Sequence, residues 1–215
     1  MNRLFAVAAL HATTVFFAAG VAAAATSTFD AGTEDWSALG DVAGPVQWVA
    51  ADGNPGGYIA VEDSVTGGVT YFSAPPAFLG DQTAFLGRAL VFDLRQHIPG
   101  APNQFKDDDV VLIGGGLTLV HDFLDNPPIG IWTSYTIPLE PSSWKLGASV
   151  PSAAEFEQVL SALTALHIRA EYQTGADVGD LDNAAFVPEP SLVSLGLVSS
   201  AILLGLRGLR GRPPR

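Results

Sequence analysis

The chain has 215 residues, 22 of them acidic and 10 basic, for a formal net charge of −12. That balance disfavours nucleic acid and anionic lipid as partners, since both need a basic surface. Cysteine is absent, which excludes disulfides, thiolate metal sites and a cysteine nucleophile.

In chain order, Arg3 precedes an apolar stretch over residues 4–21 and four consecutive alanines at 22–25. A basic start, an apolar middle and small residues at the cleavage position make a secretory signal peptide, residues 1–25, cut after Ala25. His11, Thr13 and Thr14 lower its hydrophobicity and favour cleavage over permanent anchoring.

Residues 26–187 hold five basic residues (Arg88, Arg95, Lys106, Lys145, Arg169) against 21 acidic ones, so this segment alone carries −16. Its length suits one domain. Short β-rich runs alternate with glycine and proline, as in Val46-Gln47-Trp48-Val49-Ala50 and Tyr58-Ile59-Ala60-Val61 around Asp52-Gly53-Asn54-Pro55-Gly56-Gly57. Further runs are Val69-Thr70-Tyr71-Phe72, Leu90-Val91-Phe92-Asp93-Leu94, Asp109-Val110-Val111-Leu112-Ile113, Leu117-Thr118-Leu119-Val120 and Trp132-Thr133-Ser134-Tyr135-Thr136-Ile137. A final run, Leu166-His167-Ile168-Arg169-Ala170-Glu171-Tyr172, puts Leu166, Ile168, Ala170 and Tyr172 on one face and His167 on the other. Strands at this spacing predict an all-β sandwich. One short helix is predicted where Ser152 and Glu155 form a capping box and Phe156, Val159, Leu160, Leu163 and Leu166 make an apolar stripe.

The ordered set Phe29-Asp30 to Trp36, Gly57-Tyr58-Ile59, Tyr71-Phe72-Ser73-Ala74-Pro75 and Phe78-Leu79-Gly80 resembles the laminin B (laminin IV) domain. Leu90 to Leu94, Trp132-Thr133-Ser134-Tyr135, Trp144, Ile168 to Tyr172 and Leu181-Asp182-Asn183-Ala184 extend the likeness. The resemblance implies a galactose-binding-like jelly roll, an extracellular module without known catalysis. Related jelly rolls often hold a structural calcium between the first and last strands, which here implies Asp30 and Asp182 as ligands.

The tail begins Pro188-Glu189-Pro190, continues as an uncharged apolar run over residues 192–206 and ends with Arg207, Arg210, Arg212 and Arg215. As a helix the run spans roughly 23 Å, short of a ~30 Å hydrocarbon core. Residues 188–215 resemble the PEP-CTERM sorting signal of Gram-negative bacteria. That resemblance implies an exosortase as processing partner, a transient transmembrane helix with its arginines on the cytoplasmic side, and delivery to the cell surface or matrix.

Catalysis finds no constellation. No Gly-x-Ser-x-Gly elbow occurs, His11, His97, His121 and His167 include no i, i+4 pair, and Gly114-Gly115-Gly116 lacks the lysine of a phosphate loop. A glycosidase carboxylate pair cannot be chosen among so many acids. Hard oxygen ligands favour calcium, with Asp107-Asp108-Asp109 and an acidic turn at Asp177, Asp180 and Asp182 as further candidates beside Asp30. Trp36, Trp48, Trp132 and Trp144 are read as packing residues, while Tyr71 and Phe72 fall on opposite strand faces so that one is exposed. The expected function is therefore non-enzymatic binding of exopolysaccharide or another matrix component, with a self-associating matrix protein or a polysaccharide hydrolase as alternatives.

Overall fold

The structure, a computed structural model, describes residues 25–63, 67–97 and 104–187. The signal peptide up to residue 24 and the tail from Pro188 onward, with Glu189, Pro190, Arg207 and Arg210, lie outside these residues. Among the described residues the strands run β1 (Thr26–Ser27), β2 (Ser37–Leu39), β3 (Gln47–Gly53), β4 (Gly56–Asp63), β5 (Tyr71–Ser73), β6 (Ala89–His97), β7 (Val110–Gly114), β8 (Leu117–His121) and β9 (Thr133–Pro138). Helix α1 (Ala153–Ser161), β10 (Leu163–Arg169) and β11 (Asp177–Val187) follow. They form an antiparallel jelly-roll sandwich. One sheet has the order β3-β4-β11-β6-β9, with β1 added on β11; the other has the order β2-β5-β10-β7-β8.

Alternation sorts the two faces of the strands, most clearly in β7 and in β10 up to Ile168. In β10 and just beyond it, Leu166, Ile168, Ala170 and Tyr172 are buried while His167 stays partly exposed. Facing residues from the other sheet are Ile59, Val61, Phe92, Leu94 and Leu181, all buried. Burying each large apolar side chain stabilises the fold by about 1.5–3 kcal/mol. Aromatic edges tie the layers, as where Trp36 meets Phe78 at 5.3 Å and Phe85 stacks on Phe186 at 5.3 Å.

Helix α1 has the expected capping box: the Glu155 N–H reaches Ser152 Oγ at 3.3 Å and the Ser152 N–H reaches Glu155 Oε2 at 2.8 Å. It is shorter than the apolar stripe suggested. Phe156, Val159 and Leu160 are its buried residues, whereas Leu163 and Leu166 belong to β10. The physical reason lies at Leu163, whose N–H and C=O both bond Gly80, at 2.9 and 2.8 Å. With those groups engaged by another segment, the helical ladder cannot continue.

Strand β11 was not foreseen as a strand. The acidic turn expected at Asp177, Asp180 and Asp182 is instead the interior of this central strand, and all three aspartates are buried. Each is held by fixed donors, Asp177 by the Tyr172 N–H at 2.9 Å and Asp180 by Arg95 Nε at 2.8 Å. Asp109, at the end of its acidic triplet, likewise turns inward to Arg169, both fully buried with 3.3 Å between them. Arg169 lies 4.5 Å over each of the Phe105 and Tyr172 rings and donates to the Phe105 carbonyl at 3.1 Å.

Candidate ligand-binding surface and acidic corners

The turn between β3 and β4 brings the expected calcium residues to one place. Asp182 is fully buried; its Oδ2 accepts the Asn54 N–H at 2.6 Å and its Oδ1 the Asn183 N–H at 2.7 Å. A Cβ on Gly53 would sit 2.8 Å from Asp182 Oδ2, and one on Gly56 2.6 Å from Asp30 Oδ1, so glycine at both positions leaves room for the carboxylates. Gly56 also has φ +95°, a conformation side chains resist. Asn183 Nδ2 donates to the Asn54 carbonyl at 2.6 Å and to Asp93 Oδ2 at 2.8 Å, which adds a third carboxylate to the corner. Burial above all, then Asp93 and Asp30, pushes the Asp182 carboxyl up to about 6. Both Asp182 oxygens thus accept backbone N–H groups, and among the described residues the acids that converge closely enough to hold an ion lie elsewhere.

A second acidic corner was not anticipated. Asp41, Asp63 and Glu171 present oxygens within 4.8 Å of one another. Glu171 Oε2 accepts the Thr70 N–H at 3.0 Å, and burial, followed by Asp63, Asp41 and Asp177, pushes its carboxyl up to about 7. The three residues come from a loop, the end of β4 and the segment after β10, so no sequence spacing announces the group.

The outer face of the five-stranded sheet is partly exposed. Tyr71, Ser73, Val111, Ile113, Val120 and His167 are partly exposed, while their strand neighbours Phe72, Leu112 and Ile168 are buried. Tyr71 and His167 are diagonal neighbours on β5 and β10, where His167 pairs with Ser73 and Tyr71 with Arg169, and their ring centroids lie 6.3 Å apart. The Tyr71 hydroxyl donates to the Asp108 carbonyl at 3.0 Å. Asp108 belongs to a hollow of about 350 Å³ lined by Lys106, Asp107, Asp108, Asp109 and Asp122. Asp122 is shared with a second hollow of about 330 Å³ that includes His121, Ser142, Trp144 and Lys145. The Tyr71–His167 pair thus adjoins a mainly acidic trough that Lys106 and Lys145 partly offset.

The laminin B (domain IV) family model matches residues 71–187 of this chain. The chain belongs to that family. Human laminin subunit gamma-2 is 32% identical over 158 residues, which cover 70% of this chain and 13% of that protein. The horse subunit gamma-2 is 36% identical over 111 residues, 49% of this chain and 9% of that protein. The chain therefore spans a small fraction of the curated laminins it matches. Among solved structures, the L4b domain of human laminin alpha-2 superposes with a TM-score of 0.51 at 16% identity, covering 59% of this chain and 77% of that one. An exo-beta-agarase gives a TM-score of 0.51 at 15% identity, covering 76% of this chain and 24% of that chain. Both show the fold.

Within this laminin B domain the remaining expected residues fall as follows. Trp36 and Trp144 are buried packing residues, but Trp48 is 40% exposed and Trp132 is half-buried. Trp132 lies 4.4 Å over Arg95, which Tyr58 flanks on another side at 4.9 Å, on the outer face of the six-stranded sheet. His121 bonds the Ser143 carbonyl through Nδ1 at 2.6 Å. Ala25 is buried and its carbonyl accepts the Phe186 N–H at 3.0 Å, so the expected cleavage point lies against β11. Among the described residues no helix is long and apolar enough to cross a membrane.

Proposed function

We propose that this chain is an exported, non-catalytic binding module of a bacterial surface or matrix, taking neutral glycan on the outer face of its five-stranded sheet. The observation that carries the reading is the Tyr71–His167 platform beside the trough at Asp108 and Asp122. Sugar rings stack on aromatic faces, and carboxylates and ammonium groups bond hydroxyls. A domain of −16 repels anionic polysaccharides, which leaves neutral ones. Laminin-related domains are extracellular, in keeping with a signal peptide over residues 1–25 and exosortase processing near Pro188, Glu189 and Pro190. A calcium ion held by Asp30 and Asp182 would brace the corner where the chain's first and last strands meet.

Affinity electrophoresis of the full chain in gels containing neutral exopolysaccharide tests the binding. Retardation that Tyr71→Ala and His167→Ala both weaken is expected. Mobility unchanged in every neutral polysaccharide would remove the glycan assignment, and release of reducing ends would replace it with a hydrolase.

A further inference from the structure

The distribution of charge within the six-stranded sheet runs against the ordinary pattern. Sheet edges are normally protected by charged residues, lysine above all, because an edge offers unpaired N–H and C=O groups to any passing strand. Here the charges sit on the interior strands: Glu62 and Asp63 on β4, Asp177, Asp180 and Asp182 on β11, Asp93 and Arg95 on β6. The two edges are nearly free of charge. Residues 42–51, which include most of β3, contain no charged side chain, and neither do residues 127–139, which include all of β9. The one acid within β3, Asp52, is turned to Arg95 at 3.0 Å.

Both strands are ends of the sheet order, β3 pairing only with β4 and β9 only with β6 among the described strands. β3 is mostly exposed, with Trp48 at 40% and Ala50 and Ala51 open to solvent. In β9, Ser134 and Thr136 are exposed. Elsewhere on a domain of −16, two copies repel each other. At these two strips a second copy can approach with few like charges meeting, and there backbone hydrogen bonds reward the approach. The edges of the other sheet, β2 and β8, are also uncharged but shorter, at 3 and 5 residues against 7 and 6.

We propose that the chain assembles with itself edge to edge, β3 of one copy adding to β9 of the next and continuing the sheet. The contact is heterologous, so it leaves a free β3 at one end and a free β9 at the other and grows into an open chain of subunits. This inference does not rest on the glycan reading; the surfaces are different.

Sedimentation of the full chain across a concentration series tests it, with the flanking segments identical in every sample. Ala50→Lys blocks one edge and Ser134→Lys the other, both at exposed positions, and circular dichroism melts confirm that each variant folds. The wild type should grow in mass with concentration, and each variant alone should stay monomeric. Their equimolar mixture should form a one-to-one dimer through the two unblocked edges. As a second readout, Ala50→Cys and Ser134→Cys should cross-link in mixture in a chain otherwise free of cysteine. A monomeric wild type, growth insensitive to both lysines, or a dimer of either lysine variant alone would overturn the proposal.

Discussion

The backbone N–H of Asn54 donates to Asp182 Oδ2 at 2.6 Å across 128 positions of sequence. That single bond fastens the β3–β4 turn to the closing strand and fixes a buried carboxylate next to Asp93 and Asp30. Its consequences are thermodynamic, and they can be measured.

With calcium at this corner, the ion links the two ends of the domain. Binding to the folded form alone adds about 2.7 kcal/mol at a hundredfold excess over Kd. A chelator should lower the melting temperature of the full chain, and Asp182→Asn should abolish most of that response. Asp30→Asn should act alike and not additively, since both report on one site. Identical melts with and without chelator would exclude the ion.

Protons act on the same corners. Burial first of all raises Glu171 to about 7 and Asp182 to about 6. The folded chain therefore binds protons more tightly than the unfolded chain between the ordinary carboxylate range and those values. Stability is present below about pH 4.5 for Glu171 and is lost as pH rises toward 7, with the Asp182 contribution lost by about 6. In chelator, the urea midpoint should fall from pH 5 to pH 8. Glu171→Gln should flatten the upper part of that fall, and calcium should flatten the part due to Asp182.

The Arg169–Asp109 pair is fully buried. Removing one partner leaves an uncompensated charge, so Arg169→Leu should destabilise by about 3–5 kcal/mol. Adding Asp109→Leu should recover part of the loss, which urea unfolding of the single and double variants would measure. Losses that simply add would mean the two residues act independently.

At helix α1, Ser152→Ala removes the side chain that accepts the Glu155 N–H at 3.3 Å. The expected loss is about 1 kcal/mol, read as a lower melting temperature with unchanged glycan retention.

Much of this was legible in the residues. Apolar runs bounded by glycine or proline located β6, β7 and β8, alternation located β10, and the Ser152–Glu155 box located α1, because these signals are local. Strand β11 was hidden because Asp177, Asp180 and Asp182 read as an acidic turn; only donors such as Arg95 and the Tyr172 N–H make them tolerable inside a sheet. Tyr71 against Phe72 was readable as one exposed and one buried ring, whereas its neighbour His167 required the register of β5 against β10. The Asp41–Asp63–Glu171 corner was invisible for the same reason, since its members are distant in sequence and meet only through topology.

Hydrogen–deuterium exchange of the full chain, with and without a neutral oligosaccharide from a retarding polysaccharide, reads the binding face directly. Protection should concentrate on β5, β7, β8 and β10 around Tyr71, Val111, Val120 and His167, and Tyr71→Ala should erase it. Protection confined to the outer face of the six-stranded sheet, around Tyr58 and Arg95, would contradict the assignment of the site.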